Sequence, residues 1–292
     1  MENGSVSNFT LHNDPDLFRA SVNFTAAETK FLERLIEKDY FCSLLLEYFT
    51  IVSELVFKGG TCLAKVHADF YRLSEDLDFT IPMSLTSTRK ERQEKIKPAK
   101  EAFKKIQTKL PDIRVKEDLI GANNSTQYLA TVEYTSLITG NNEIIKFEIS
   151  LREPLLEKIK SYNSQTILLN PINNKRVCSA IQLPCIAKRE TYAEKFRAAL
   201  TRREPAIRDF FDIDFAVLKG GLEIEEIKLI ELVKYKINIP GNDKIDVSDE
   251  RLKALEQQID TQLKPVLRAA DFAKFNLKRA FEFVVVMQSK IS

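Results

Sequence analysis

Apolar positions change their period along this chain. Residues 26–38 and 39–54 carry Phe31, Leu35, Leu44, Leu45, Phe49 and Val52 at three- and four-residue spacing, which predicts two helices. Around 76–81 the period drops to two. Leu77, Phe79 and Ile81 alternate with Asp76, Asp78 and Thr80, the pattern of a strand with one buried and one polar face. After Pro82, Ile96, Ala99, Phe103, Ile106 and Leu110 form one narrow helical stripe in a strongly charged segment, with Pro98 either kinking that helix or marking its first turn. Strand patterns return at 113–117, 128–134 and 143–151, the last two separated by the turn residues Thr139, Gly140, Asn141 and Asn142.

Residues 161–184 are polar and turn-rich and read as a connection, after which every strong pattern is helical. The helix over 187–202 sets Lys188, Lys195 and Arg202 seven apart on one face. The helix after Pro205 carries Asp209 and Asp212 one turn apart and ends at Gly220 and Gly221. The polar N-terminus predicts a loosely held tail. The expectation is an α+β chain with a tail over 1–24, a mixed-sheet lobe over 25–181 and a helical lobe over 182–292.

With 292 residues, 44% of them hydrophobic, the chain can bury a core in each of two lobes. The formal charge is +2, from 44 basic and 42 acidic residues, so attraction to nucleic acid must come from local patches. One such patch is 89–109, where Arg89, Lys90, Arg92, Lys95, Lys97, Lys100, Lys104, Lys105 and Lys109 outnumber Glu91, Glu94 and Glu101. It reads as a solvated helix face or as a track for phosphates. Cys42, Cys62, Cys178 and Cys185 make no C-x-x-C pair, and His12 and His67 are the only histidines, which argues against a zinc cluster and a disulfide framework. The N-terminus lacks a basic and an apolar leader region, and Glu47 and Glu54 interrupt the most apolar stretch, so the expectation is a cytoplasmic protein that does not engage membranes.

The most informative stretch is 57–79, FKGGTCLAKVHADFYRLSEDLDF. Asp76 and Asp78 leave one strand face together, and paired carboxylates with oxygen-only ligation suit Mg²⁺, completed by water and substrate phosphate. Gly59 and Gly60 can take positive φ and let a phosphate approach the backbone, and Thr61 is placed to cap the helix that follows. Ser74 reads as a phosphate or loop hydrogen-bonder, because no general base accompanies it. Cys62 and His67 lie five apart on one helix and do not face each other, which argues against a thiol nucleophile. On 143–151, Glu148 projects from the polar face of a strand expected beside the aspartate strand, as a third metal carboxylate or a solvent-facing residue.

These residues resemble the AbiEii/AbiGii-type nucleotidyltransferases, toxins of bacterial toxin–antitoxin and abortive-infection (phage-exclusion) systems. The likeness lies in VFKGGTCLAK at 56–65, RLSEDLDF at 72–79, and ETYAEKFRAALTRR at 190–203 followed by Arg208, Asp209 and, three places after Asp209, Asp212; it runs over 39–218. The resemblance implies a polymerase-β-like nucleotidyltransferase lobe with a helical C-terminal lobe. It implies transfer of a nucleotidyl group from an NTP to an acceptor hydroxyl, with two Mg²⁺ ions held by Asp76, Asp78 and Glu148. Lys58, Gly59, Gly60, Thr61 and Ser74 would bind the nucleotide, Lys195 would contact its phosphates, and Asp209 and Asp212 would complete the cleft, with Asp212 the favoured catalytic member. Without that role, Lys195 reads as a surface cation and Asp212 as the helix partner of Arg208. Relatives of the family add nucleotides to tRNA 3′ ends, so tRNA is the leading acceptor and an antitoxin encoded nearby the expected partner. The alternatives are a non-catalytic nucleotide-, RNA- or partner-binding module, and transfer to a protein hydroxyl.

Overall fold

The computed structural model describes residues 7–291 and divides the chain into two compact units. The first runs to Pro154 and takes in Ile159–Ile186; the second holds Leu155–Lys158 and continues from Ala187.

The first unit opens with α1 (Pro15–Thr29) and α2 (Glu33–Phe49). Asp14 caps α1 by accepting from Leu17 N–H at 3.1 Å, with Pro15 pre-set for the first turn. Lys30, at φ +64, separates the two helices. Order therefore begins well before residue 25, because Phe9, Phe18 and Val22 are buried; residues 1–6 of the expected tail lie outside the described residues.

Next come β1 (Val56–Lys58), the short helix α3 (Gly59–Cys62) passing into a π-helical turn over Leu63–His67, and β2 (Leu77–Thr80). Two helices follow, α4 (Arg89–Lys95) and α5 (Lys97–Lys109), with Pro98 in the first turn of α5. Arg92 departs from the basic run: it is buried, donating to the Ser87 carbonyl at 2.5 Å and the Asn124 carbonyl at 3.3 Å. The remaining strands are β3 (Arg114–Ala122), β4 (Gln127–Thr135), β5 (Asn142–Ser150), β6 (Lys160–Ser164) and β7 (Ile181–Cys185).

All seven strands form one mixed sheet in the order β3-β4-β5-β2-β1-β7-β6. Phe57, Phe79, Phe103 and Phe147 meet on its core face with Phe49 of α2. The connection read from 161–184 is in part sheet: β7 joins β1 in parallel through Phe57 and Cys185, and β6 pairs with β7. The sequence hid both strands because KSYNS has no apolar alternation and Pro184 argued against a strand.

The second unit is helical: α6 (Lys188–Thr201), α7 (Ile207–Leu218), α8 (Ile227–Ile237), α9 (Asp249–Glu256), α10 (Ala269–Phe272) and α11 (Leu277–Ile291). Helix α7 ends where the glycines stand, Gly221 taking φ +69. Among the described residues, no helix is long and apolar enough to cross a membrane.

Candidate active site

β2 lies between β1 and β5, and pairing aligns their polar residues. Lys58 is the register partner of Asp78 in the antiparallel β1–β2 ladder, and Asp78 is that of Glu148 in the parallel β2–β5 ladder. Partners in register share a face, so Lys58, Asp78 and Glu148 form one row, each half-buried. Below them Phe57, Phe79, Phe147 and Ile149 are buried, which fixes the polar residues on the opposite side.

The glycine turn closes against this row. Gly59 takes φ +75, and a Cβ there would come within 2.7 Å of Asp78 Cβ and closer still to Oδ2. A Cβ on Gly60 would stand 2.8 Å from Arg72 Nη2 and 3.2 Å from Ser74 Oγ. Backbone, carboxylate and hydroxyl thus approach one another because positions 59 and 60 have no side chain. Thr61 takes a different part from the expected cap. It is buried, and its hydroxyl donates to the Asp76 carbonyl in a short hydrogen bond that ties the glycine turn to the start of β2.

Buried charges outside the motif aspartates hold this turn. Lys65 Nζ lies 2.5 Å from Asp39 Oδ1 and 2.8 Å from Ser43 Oγ on α2, while Asp39 Oδ2 accepts from Thr166 Oγ1 at 2.9 Å and Ile167 N–H at 2.8 Å. Glu75 is anchored by Arg34 at 3.0 Å and Lys38 at 3.2 Å. Burial pushes the Glu75 carboxyl up, but these two cations outweigh it and hold its pKa below the usual value. The buried guanidinium of Arg72 donates to the Leu73 carbonyl at 3.1 Å. Lys65, Arg72 and Glu75 fall within VFKGGTCLAK and RLSEDLDF, yet the sequence alone assigns no role to any of these residues. The available signal was charge inside apolar neighbourhoods, as at Lys65 in CLAKV.

The donor set bears directly on a metal. Asp78 and Glu148, adjacent on one face, fit an oxygen-ligated cation such as Mg²⁺, which needs one or two carboxylates and keeps water. Asp76 stands just before β2 and is not gathered into a preformed three-carboxylate cage: among the described residues, no three His, Cys, Asp or Glu side chains are disposed to hold a metal. Cys62 is fully buried, as expected for an inert thiol.

In the second unit the structure brings Lys195, Asp209 and Asp212 together. Lys195 Nζ lies 2.7 Å from Asp209 Oδ1 and 2.9 Å from Asp212 Oδ2, so α6 and α7 are joined by a cation between two carboxylates. Arg202 reaches Asp209 Oδ2 at 3.0 Å. Asp212 is fully buried, and Lys195 is partly buried with 13% of its side chain exposed. Burial pushes the Asp209 carboxyl up, yet Lys195 and Arg202 more than offset it, leaving its pKa below the ordinary value. Lys195 is therefore no surface cation. Its charge is compensated within the unit, and contact with a phosphate would require it to loosen an aspartate. Nearby on α6, Glu190 accepts from the Leu156 and Glu157 N–H groups and pairs with the fully buried Lys236 at 2.9 Å.

The profile of the AbiEii nucleotidyl transferase toxins of type IV toxin–antitoxin systems matches residues 48–283. The chain belongs to this family; it is a nucleotidyltransferase, and membership implies an antitoxin partner. Two solved Helicobacter pylori structures are similar. One, a candidate nucleotidyltransferase, is 15% identical, covering 88% of this chain and 91% of that one at a TM-score of 0.46. The other, JHP933, is 16% identical, with 88% of each chain covered and a TM-score of 0.46. No curated protein matches the chain.

Proposed function

We propose that this chain moves a nucleotidyl group from an NTP to an acceptor hydroxyl, with release of pyrophosphate, in a Mg²⁺-dependent reaction whose leading acceptor is the 3′ end of tRNA. The carrying observation is the register of Asp78 with Glu148, closed on one side by the Gly59 turn. Asp78 and Glu148 would hold the ion, with Asp76 as a further ligand from the mouth of β2. A bound Mg²⁺ supplies charge neutralisation at the phosphates and polarisation of the attacking hydroxyl. The chain's own contribution is positioning. The Gly59–Gly60 backbone, Lys58 and Ser74 line the side where the triphosphate would lie, and the buried Thr61 hydroxyl keeps turn and strand in step. Exposed lysines along α4 and α5 support a nucleic-acid acceptor.

The test is incubation of the protein with Mg²⁺, total tRNA and each labelled NTP in turn, beside the Asp76→Ala, Asp78→Ala protein. Label entering tRNA only with intact aspartates supports the reading; transfer at an undiminished rate by the double variant rejects it. Label in protein instead would reassign the acceptor.

A further inference from the structure

The row that aligns Lys58, Asp78 and Glu148 does not stop at β5. Glu148 is the register partner of Leu129 on β4, and Leu129 that of Ile120 on edge strand β3. Both are large apolar residues open to solvent, Ile120 at 64% and Leu129 at 44% exposure, whereas the flanking Leu119, Tyr128 and Ala130 turn into the core. Alternation thus puts an apolar pair on the polar side of the sheet, in line with the carboxylates. With strands about 4.8 Å apart, Leu129 stands roughly 10 Å from Asp78, about one nucleotide's reach.

The two sides of the carboxylate pair differ. The glycine turn with Lys58 lies toward β1, and the apolar pair toward β3. In-line phosphoryl transfer places attacking and leaving oxygens on opposite sides of the phosphorus. If the triphosphate occupies the glycine side, the attacking hydroxyl arrives from the side of Glu148, and whatever carries it rests beyond, on Leu129 and Ile120. Exposed Lys146, two residues before Glu148 on the same face of β5, supplies a cation beside that surface. We infer that Ile120 and Leu129 seat the 3′-terminal base of an RNA acceptor, with Lys146 toward its backbone. The inference rests on the proposed transferase reading, and it identifies the acceptor side of that same site.

The decisive experiment measures binding of single-stranded RNA with an intact 3′ nucleotide and of the same RNA lacking its terminal base, to the full chain and to its Ile120→Ser, Leu129→Ser variant. Both positions are exposed, so the variant should fold normally, which thermal unfolding checks. Wild type should bind the intact RNA about tenfold more tightly than the abasic one, and the variant should bind both alike. In transfer assays the variant's KM for RNA should rise about tenfold with its KM for NTP unchanged. Equal binding of both RNAs by wild type, as a protein acceptor would give, or undiminished discrimination by the variant, overturns the inference. Binding is read without turnover, so absence of transfer by wild type with base discrimination intact would reject the transferase reading and leave the base seat standing.

Discussion

The carboxylate of Asp78 occupies the space that a side chain on Gly59 would need, and Gly59 itself sits at φ +75. The two residues lie on different sides of a short helix and a long excursion of chain, yet each conformation depends on the other. Gly59→Ala combines left-handed strain of about 1–2 kcal/mol with a collision that only movement of Asp78 relieves. A displacement of about 1 Å is enough to cost on the order of 100-fold in rate. The expected outcome is a folded protein with kcat down by about that factor, read in the labelled-NTP assay beside a thermal melt.

Thr61 offers a finer probe of the same coupling. Thr61→Val keeps the shape and removes the hydroxyl that donates to the Asp76 carbonyl, leaving that acceptor without its clip. A stability loss of about 1–2 kcal/mol is expected. Thr61→Ser should restore most of it and recover activity. Equal behaviour of Val and Ser would show that the hydroxyl does not hold turn to strand.

The Lys195 cluster should prove stabilising. Lys195→Met leaves Asp209 and Asp212 buried together without their shared cation, which should cost about 3–5 kcal/mol in denaturant unfolding. Asp212→Asn should cost less, since a neutral amide needs no counter-charge.

The depressed pKa of Asp209 sets an acid dependence. A carboxyl held low in the folded chain contributes stability that is present above its unfolded value, about 3.9, and is lost as the pH falls through the lower folded value. The stability gap between wild type and Asp209→Asn should therefore be constant above about pH 5 and shrink toward pH 3. A gap that widened on acidification would contradict the assignment.

Much of the candidate site is legible in the sequence because its patterns are local. Asp76, Asp78 and Glu148 stand out by strict alternation, and the glycine turn by two adjacent glycines before a helix, both short-range patterns that survive without knowledge of the fold. The role of Thr61 was not legible, since its partner is a backbone carbonyl fifteen positions away. Lys195 reads as a surface cation from its own helix, because the carboxylates that pair with it come from α7. Strand β6 was hidden by its polar sequence and owes its place to β7, while α1 was missed although Asp14 and Pro15 are a regular helix-start signature. The buried Lys65–Asp39 pair required the third dimension outright.

If Asp78 and Glu148 work together on one cation, the rate of nucleotidyl transfer as a function of Mg²⁺ concentration will show it. Asp78→Asn and Glu148→Gln should each reduce transfer by at least about 100-fold at saturating Mg²⁺ with the fold intact, and the double variant should lose little more than the worse single one, as expected for residues that act as a unit. Transfer by Glu148→Gln at the wild-type rate, with the same Mg²⁺ requirement, would contradict the claim.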